Sequence, residues 1–137
     1  MASTLAFKLI TPTQVVFEGA AELVIAVGIE GEEGILPQHA PFLTALKPGV
    51  LRANVVENGK TERLELATAE GFMQALPDGV TVLVDKVMRF EDVDVAAARS
   101  DLAAACERQE NAAGPADFQR EQAAIDFASA QLRLTGH

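Results

Sequence analysis

The hydrophobic pattern of this chain changes its period once, near residue 90. The N-terminal part alternates apolar and polar residues in four runs: Leu5-Phe7-Leu9, Leu23-Ile25-Val27-Ile29, Leu64-Leu66-Thr68 and Val80-Val82-Val84. A period of two places one side of a β-strand in a core and the other side in solvent. Beyond residue 90, alanine replaces most β-branched and aromatic residues, which favours helix. The sequence therefore predicts an all-β N-terminal part followed by an α-helical part.

Turn signals separate the predicted strands. Asn58-Gly59 is typical of a two-residue hairpin turn, because both residues accept a positive φ. Pro77-Asp78-Gly79 and Lys47-Pro48-Gly49 are two further turn signals. Such turns, recurring at intervals of about ten residues, predict a β-sandwich or barrel in which short strands are joined by hairpins.

The C-terminal part predicts two helices. The run "EDVDVAAARSDLAAACERQE", residues 91–110, forms the first, with Asp92 or Asp94 available as its N-cap. Gly114-Pro115 is the predicted stop signal, and residues 116–134 form the second helix. The predicted buried stripes are Val95, Ala98, Leu102 and Ala105 on the first helix, and Phe118, Ile125, Ala128 and Leu132 on the second. Because these stripes are narrow and partly alanine, we expect a marginal hairpin that can change its docking partner.

Length and charge limit the classes of function. A chain of 137 residues predicts one domain, or one domain with a small appendage. The net charge of −9 and scattered Lys/Arg argue against binding nucleic acid or anionic lipid. No apolar run approaches a membrane span, and the N-terminus shows no targeting pattern, so we expect the protein to stay in a bacterial cytoplasm or equivalent compartment. The single cysteine, Cys106, fits a reducing compartment.

The sequence contains no recognisable catalytic motif. It lacks a nucleophile elbow, a phosphate-binding loop and a dinucleotide-binding glycine pattern. Cys106 has no histidine nearby and is expected to be a small packing residue. His39 stands alone, without a second ligand at metal-binding spacing. Glu30, Glu32 and Glu33 are interpreted as a solvated cluster. We therefore predict no catalytic residues, no metal site and no cofactor.

One connection, "EGEEGILPQHAPFLTALKPG" at residues 30–49, differs from the plain strands around it. Gly31 and Gly34 permit backbone conformations closed to other residues, whereas Pro37 and Pro41 fix φ. These prolines hold His39 between two stiff points, and we expect His39 to be exposed. The loop protects a sheet edge, or it is a preorganised protein-binding surface, and composition leaves both interpretations open.

This connection carries a family resemblance. From Val24 to Gly49 the chain reads V-x-x-x-x-x-E-G-E-x-G-I-L-P-x-H-A-P-x-L-T-x-L-K-P-G, which closely resembles the signature of the epsilon subunits of bacterial F-type ATP synthases. Three further stretches match the family in order: "FKLITPTQVVFEG", which looks like the first hairpin, "GFMQALPDGVTVLVD", which looks like the closing strands, and "EDVDVAAARSDL", which looks like the entry to the C-terminal hairpin. The resemblance covers essentially the whole chain.

The resemblance implies a fold and a role. It implies an N-terminal sandwich of about ten strands (a flattened barrel), here residues 1–88, followed by an antiparallel two-helix hairpin, residues 89–137. Such a subunit is a non-catalytic part of the rotor, on the cytoplasmic face of the bacterial inner membrane, and meets the membrane only through the complex. Its sandwich binds the gamma subunit, and its signature loop faces the c-ring. The implied interface residues are Glu30, Glu32, Gly34, His39, Ala40, Pro41 and Thr44.

The resemblance also implies a regulatory hairpin. In many relatives the hairpin extends along gamma, towards the alpha and beta subunits, and inhibits ATP hydrolysis. Some relatives bind ATP there through arginines, but Ala97 and Ala104 occupy those positions in this chain. Arg99 is displaced by two residues, about 200° around a helix, so no nucleotide site is predicted. Gln38 replaces the usual glycine before His39, which predicts a stiffer or differently bent loop.

Two alternatives belong to other functional classes. A free-standing nucleotide-sensing module needs the arginines that are missing at positions 97 and 104. A small acid/base enzyme using Glu32 and His39 predicts turnover by the isolated chain. The rotor subunit is the leading hypothesis.

Overall fold

The computed structural model describes residues 3–137, which form nine β-strands followed by two α-helices. The strands are β1 Leu5–Ile10, β2 Val15–Gly28, β3 Gly31–Ile35, β4 Phe42–Leu46, β5 Gly49–Glu57, β6 Lys60–Thr68, β7 Gly71–Leu76, β8 Gly79–Val84 and β9 Val87–Arg89. A short 3₁₀ turn, Phe90–Asp92, leads into helices α1 Val95–Glu110 and α2 Pro115–Leu134. The predicted fold class, a β-sandwich followed by a helical hairpin, is confirmed. The division after residue 88 into two domains stays a prediction.

Strand β2 is long enough to belong to both layers of the sandwich. Its first half pairs antiparallel with β1, and its second half pairs with β3 on one edge and β5 on the other. One layer has the order β1-β8-β7-β4, in which β1 and β8 are parallel; the other continues from β2 through β5 and β6 to β9. The pair Gly28 and Leu46 brings β4 back to β2. The sandwich is thereby closed along β2.

The core lies between the two layers, where the predicted alternation places most of its apolar residues. The three predicted runs on β1, β6 and β8 face inward, with Leu64 only partly buried. On β2 the prediction is wrong, because Val24 and Ala26 are buried while Ile25 and Val27 are half-buried on the outer face. The register with β5 shifts between Ala21 and Leu23. A β-bulge of one residue exchanges the two faces of the strand beyond it.

Two of the three predicted turns close hairpins. Asn58 and Gly59 have φ values of 53° and 77°, which a two-residue hairpin turn of this type requires. Leu76 pairs with Gly79 across the turn at Pro77-Asp78. The third signal, Lys47-Pro48-Gly49, connects β4 to β5, which do not pair with each other among the described residues. That turn carries the chain from one layer of the sandwich to the other.

The helices begin and end close to their predicted limits. Asp94, and not Asp92, caps α1: its carboxylate accepts a hydrogen bond from the backbone N–H of Ala97 at 3.1 Å. Pro115 is the first residue of α2, so Gly114-Pro115 starts the second helix after α1 has ended at Glu110. A proline fits this position, because a first helical residue needs no N–H partner.

Two predictions about the helical faces are wrong. Phe118 lies in the first turn of α2 and is 46% exposed, whereas the buried residues of α2 all belong to its C-terminal half. Cys106 is exposed and does not pack. It follows the buried Ala105 by one residue, which turns its side chain about 100° away from the helix contact.

The hairpin is folded against the sandwich, with α2 contacting β5 and β6. Arg108 joins the helices by donating to Glu121 at 2.9 Å, and Gln109 donates to Gln122 at 2.9 Å. The hydrogen bond to Glu121 raises the pKa of Arg108 further above its already high ordinary value. Within residues 3–137, no side-chain hydrogen bond or ion pair joins either helix to a strand. The direct contacts between the hairpin and the strands are therefore van der Waals contacts, including those of buried alanines.

Candidate protein-binding interface

The loop between β3 and β4 is a tight turn tied to its neighbour. The backbone N–H of His39 donates to the Leu36 carbonyl at 3.2 Å, and Gln38 has a φ of 65°. Pro37 followed by a residue of positive φ is the pattern of a type II turn. The N–H of Gln38 donates to the carbonyl of Pro77 at 2.7 Å, in the turn between β7 and β8. The turn is therefore closed internally and tied to the β7–β8 turn by one backbone hydrogen bond.

His39 is held by local contacts. It is half-buried, so the prediction that it is exposed is wrong. Its ring centroid lies 5.8 Å from that of Phe42, and Nδ1 lies 2.7 Å from the Ala40 carbonyl oxygen. Because a carbonyl only accepts, Nδ1 carries the proton in this hydrogen bond. Nε2 makes no hydrogen bond within the described residues.

The β2–β3 hairpin carries the acidic residues. Glu30 is exposed in its turn, next to Gly31, whose φ of 133° suits glycine. Glu32 forms an ion pair with Arg52 of β5, reaching across β2 on the outer face. No hydrogen bond joins Glu32 to His39 among the described residues, which leaves the acid/base alternative without a paired site. The part of the chain that the structure describes contains no cluster of metal-binding side chains.

The remaining predicted interface residues follow along the same edge. Gly34 lies in β3, where a Cβ would meet only Leu23 Cδ1, at 3.8 Å. Ala40 and Pro41 are exposed in the loop, and Thr44 is half-buried in β4, donating to the Ala45 carbonyl at 3.3 Å. The seven predicted residues thus lie along one continuous stretch that runs from the β2–β3 turn to β4.

Sequence reasoning missed an outer apolar patch on the sheet beside this loop. It consists of Leu43, Phe72, Leu76 and Leu83, which are 68%, 58%, 44% and 42% exposed. The patch residues lie on the three adjacent strands β4, β7 and β8, where Phe72 is directly opposite Leu83. In "GFMQALPDGVTVLVD" apolar residues occupy both alternating sets of positions, a signal that the β7–β8 hairpin is apolar on both faces.

The helical positions that the resemblance linked to nucleotides lie on α1. Ala97 is exposed, Ala104 is half-buried, and Arg99 is exposed with no carboxylate partner in the described chain. The Asp94 carboxylate is engaged as the helix cap. The lack of a nucleotide site stays a prediction.

Neither helix of the described chain has an apolar stretch long enough to cross a bilayer.

Comparisons with known proteins agree with the fold and extend it. Residues 4–90 match the family model described as ATP synthase, Delta/Epsilon chain, beta-sandwich domain. The chain is 37% identical to the ATP synthase epsilon chain of Chromobacterium violaceum, over 96% of this chain and 92% of that one. It is 38% identical to the ATP synthase epsilon chain 1 of Methylococcus capsulatus, over 97% and 93% of the two chains.

Two solved structures share the fold at low sequence identity. A chain of the Euglena gracilis mitochondrial ATP synthase (OSCP/F1/c-ring) superposes with a TM-score of 0.78 at 18% identity, covering 98% of this chain and 82% of that one. A chain of the Tetrahymena thermophila mitochondrial ATP synthase (central stalk/c-ring) superposes with a TM-score of 0.60 at 16% identity, covering 97% of each.

Proposed function

This chain belongs to the family of ATP synthase epsilon chains, and we propose that it is a non-catalytic rotor subunit in the central stalk of a bacterial enzyme. In this role the sandwich links the gamma subunit to the c-ring and supports the coupling of proton translocation to ATP synthesis. The subunit lies at the cytoplasmic face of the inner membrane and reaches the membrane only through the complex.

The outer apolar patch carries this proposal. Leu43, Phe72, Leu76 and Leu83 expose large apolar side chains on adjacent strands of a well-packed sheet. A group of large exposed apolar side chains on adjacent strands is typical of a protein interaction site. We assign the patch to gamma, because a partner that turns with this subunit needs a permanent, mainly apolar contact.

The acidic hairpin and the anchored loop suit the c-ring. Glu30 and Glu32 project from the β2–β3 hairpin, and the loop around His39 is fixed by its hydrogen bonds to Leu36 and Pro77. A loop that is already ordered loses little entropy on binding. Carboxylates at this position complement the arginine and glutamine side chains that polar loops of c subunits offer. Stiffness also lets the joint transmit torque.

The hairpin is the proposed inhibitory element. It is docked by small side chains, including Ala128 and Ala130, and its described residues make no ion pair with the sandwich. Little apolar area opposes its release, so α1 and α2 can leave the sandwich and contact the alpha and beta subunits. Such a movement would place the hairpin where it blocks ATP hydrolysis.

Binding to purified gamma tests the central part of the proposal. We expect Phe72→Ser to weaken gamma binding about 30-fold, the effect of losing an interface anchor worth about 2 kcal/mol. The matched control is Phe118→Ser, which removes a phenylalanine of similar exposure from the hairpin. If Phe72→Ser and the unaltered chain bind gamma with equal affinity, the assignment of the outer apolar patch to gamma is refuted.

A further inference from the structure

One cavity is lined both by residues of the candidate interface and by residues of the hairpin. Helix α2 borders an open cavity of about 570 Å³ over the outer face of β2 and β5. Its ionisable lining consists of Glu32, Lys47 and Arg52 from the sandwich, with Asp126 and Arg133 from α2. The carboxylate that we place at the c-ring contact therefore also faces the helix that we propose to be mobile.

A second cavity shares two of these charges with the first. It has a volume of about 820 Å³ and is lined by Lys47 and Asp126, but by none of Glu32, Arg52 and Arg133. Lys47 and Asp126 therefore border both cavities, whereas Glu32, Arg52 and Arg133 line the first cavity alone. The first cavity thus brings Arg133 of α2 to the same space as the pair of Glu32 and Arg52.

Glu32 has the capacity for a second cation. Arg52 binds Glu32 through one carboxylate oxygen, Oε2. A carboxylate offers about four acceptor positions on its two oxygens, so one guanidinium does not saturate it. Arg133 forms no ion pair within residues 3–137. Asp126, by contrast, already accepts a hydrogen bond from Gln122 at 3.0 Å.

We propose that Glu32 is the anchor of an electrostatic latch that holds the hairpin down through Arg133. Arg52 keeps the carboxylate in position, and Arg133 is attracted to it across the cavity. A cation from a binding partner that engages Glu32 competes with Arg133, so occupation of this surface loosens the hairpin. By linkage, an undocked hairpin leaves Glu32 freer to bind that partner.

Amide hydrogen exchange on the isolated full-length chain tests the latch. At low ionic strength we expect Glu32→Gln and Arg133→Gln each to speed exchange in residues 123–133 about two- to fivefold, the range for an exposed charge pair. The double variant should exchange no faster than the faster single variant, because both substitutions remove one interaction. Adding about 0.5 M salt should abolish the differences through screening.

Matched variants separate the latch from general effects. Glu18→Gln removes the carboxylate that lies 3.8 Å from Lys8, outside this cavity, and Arg99→Gln removes an exposed arginine of α1. Neither should change exchange in α2. Additive effects of the two latch substitutions, or a Glu32→Gln effect no larger than that of Glu18→Gln, would overturn the proposal. Equal acceleration at Met73 and Val82 in the core would indicate global unfolding and would also reject it.

The inference rests on the proposed function only for the identity of the competing cation. The exchange experiment contains no partner subunit, so its result stands apart from gamma binding. If the chain fails to bind gamma but shows the non-additive exchange, the latch is supported and the rotor assignment is refuted.

Discussion

Replacing Gln38 by glycine should stabilise the sandwich. Gln38 occupies the third position of the Leu36–His39 turn with a φ of 65°, a conformation in which a side chain crowds its own backbone. Its N–H is committed to Pro77, so the turn cannot relax by rotating this residue without losing the tie to the β7–β8 turn.

The magnitude follows from two opposing terms. A non-glycine residue in the left-handed region costs about 1–2 kcal/mol, which Gln38→Gly relieves. Glycine also gives the unfolded chain more conformational freedom, which lowers the free energy of unfolding by about 0.5–1 kcal/mol. The difference between the two terms is about 0–1.5 kcal/mol, centred near 0.75 kcal/mol, which raises the melting temperature by roughly 2–4 °C for a domain of this size.

Thermal unfolding followed by circular dichroism measures this change. The matched control is Gln38→Ala, which removes the same polar side chain but keeps the Cβ and therefore the backbone strain. We expect the alanine variant to melt within about 1 °C of the unaltered protein. If both variants gain the same stability, the side chain and not the backbone conformation is responsible, and our explanation of the turn is wrong. A lower melting temperature for Gln38→Gly would also contradict our explanation of the turn.

Three further outcomes are expected. Gly71→Ala should lower the free energy of unfolding by about 3 kcal/mol or more, because a Cβ there would lie 1.9 Å from the Leu83 carbonyl oxygen. Chemical denaturation should show this loss in Gly71→Ala but not in Gly34→Ala. Millimolar ATP should leave the NMR spectrum of α1 and α2 unchanged, because Ala97 and Ala104 supply no guanidinium, and shifts confined to the hairpin would refute this. Truncation after Arg89 should raise ATP hydrolysis by the assembled enzyme; unchanged hydrolysis would show that the hairpin is not inhibitory.

The sequence predicted the fold where local and long-range preferences agree. The alternation on β1 and β8 and the turn at Asn58-Gly59 required no knowledge of partners, and both predictions are confirmed. The inward face of β2 could not be predicted, because its bulge opposite β5 depends on a pairing between distant segments. The alternation that begins at Leu23 therefore predicted the wrong face of β2 as the core face, because Val24 is the buried residue.

The candidate site was predictable only in part. The prolines near His39 indicated a stiff loop, but the hydrogen bond from Gln38 to Pro77 joins two turns that are far apart in sequence. The tilted contact between the rings of His39 and Phe42 is likewise a product of the folded loop. The outer apolar patch was hidden because one strand period cannot distinguish a core face from an apolar surface.

Proton pumping by inner-membrane vesicles tests most directly whether this subunit couples the rotor through Glu32. We predict that vesicles whose enzyme carries Glu32→Lys retain ATP hydrolysis but pump fewer protons per ATP, since a lysine repels the cationic side chains expected opposite it. Glu18→Lys makes the same charge change away from the candidate interface and should pump normally. Normal pumping by Glu32→Lys would contradict the account.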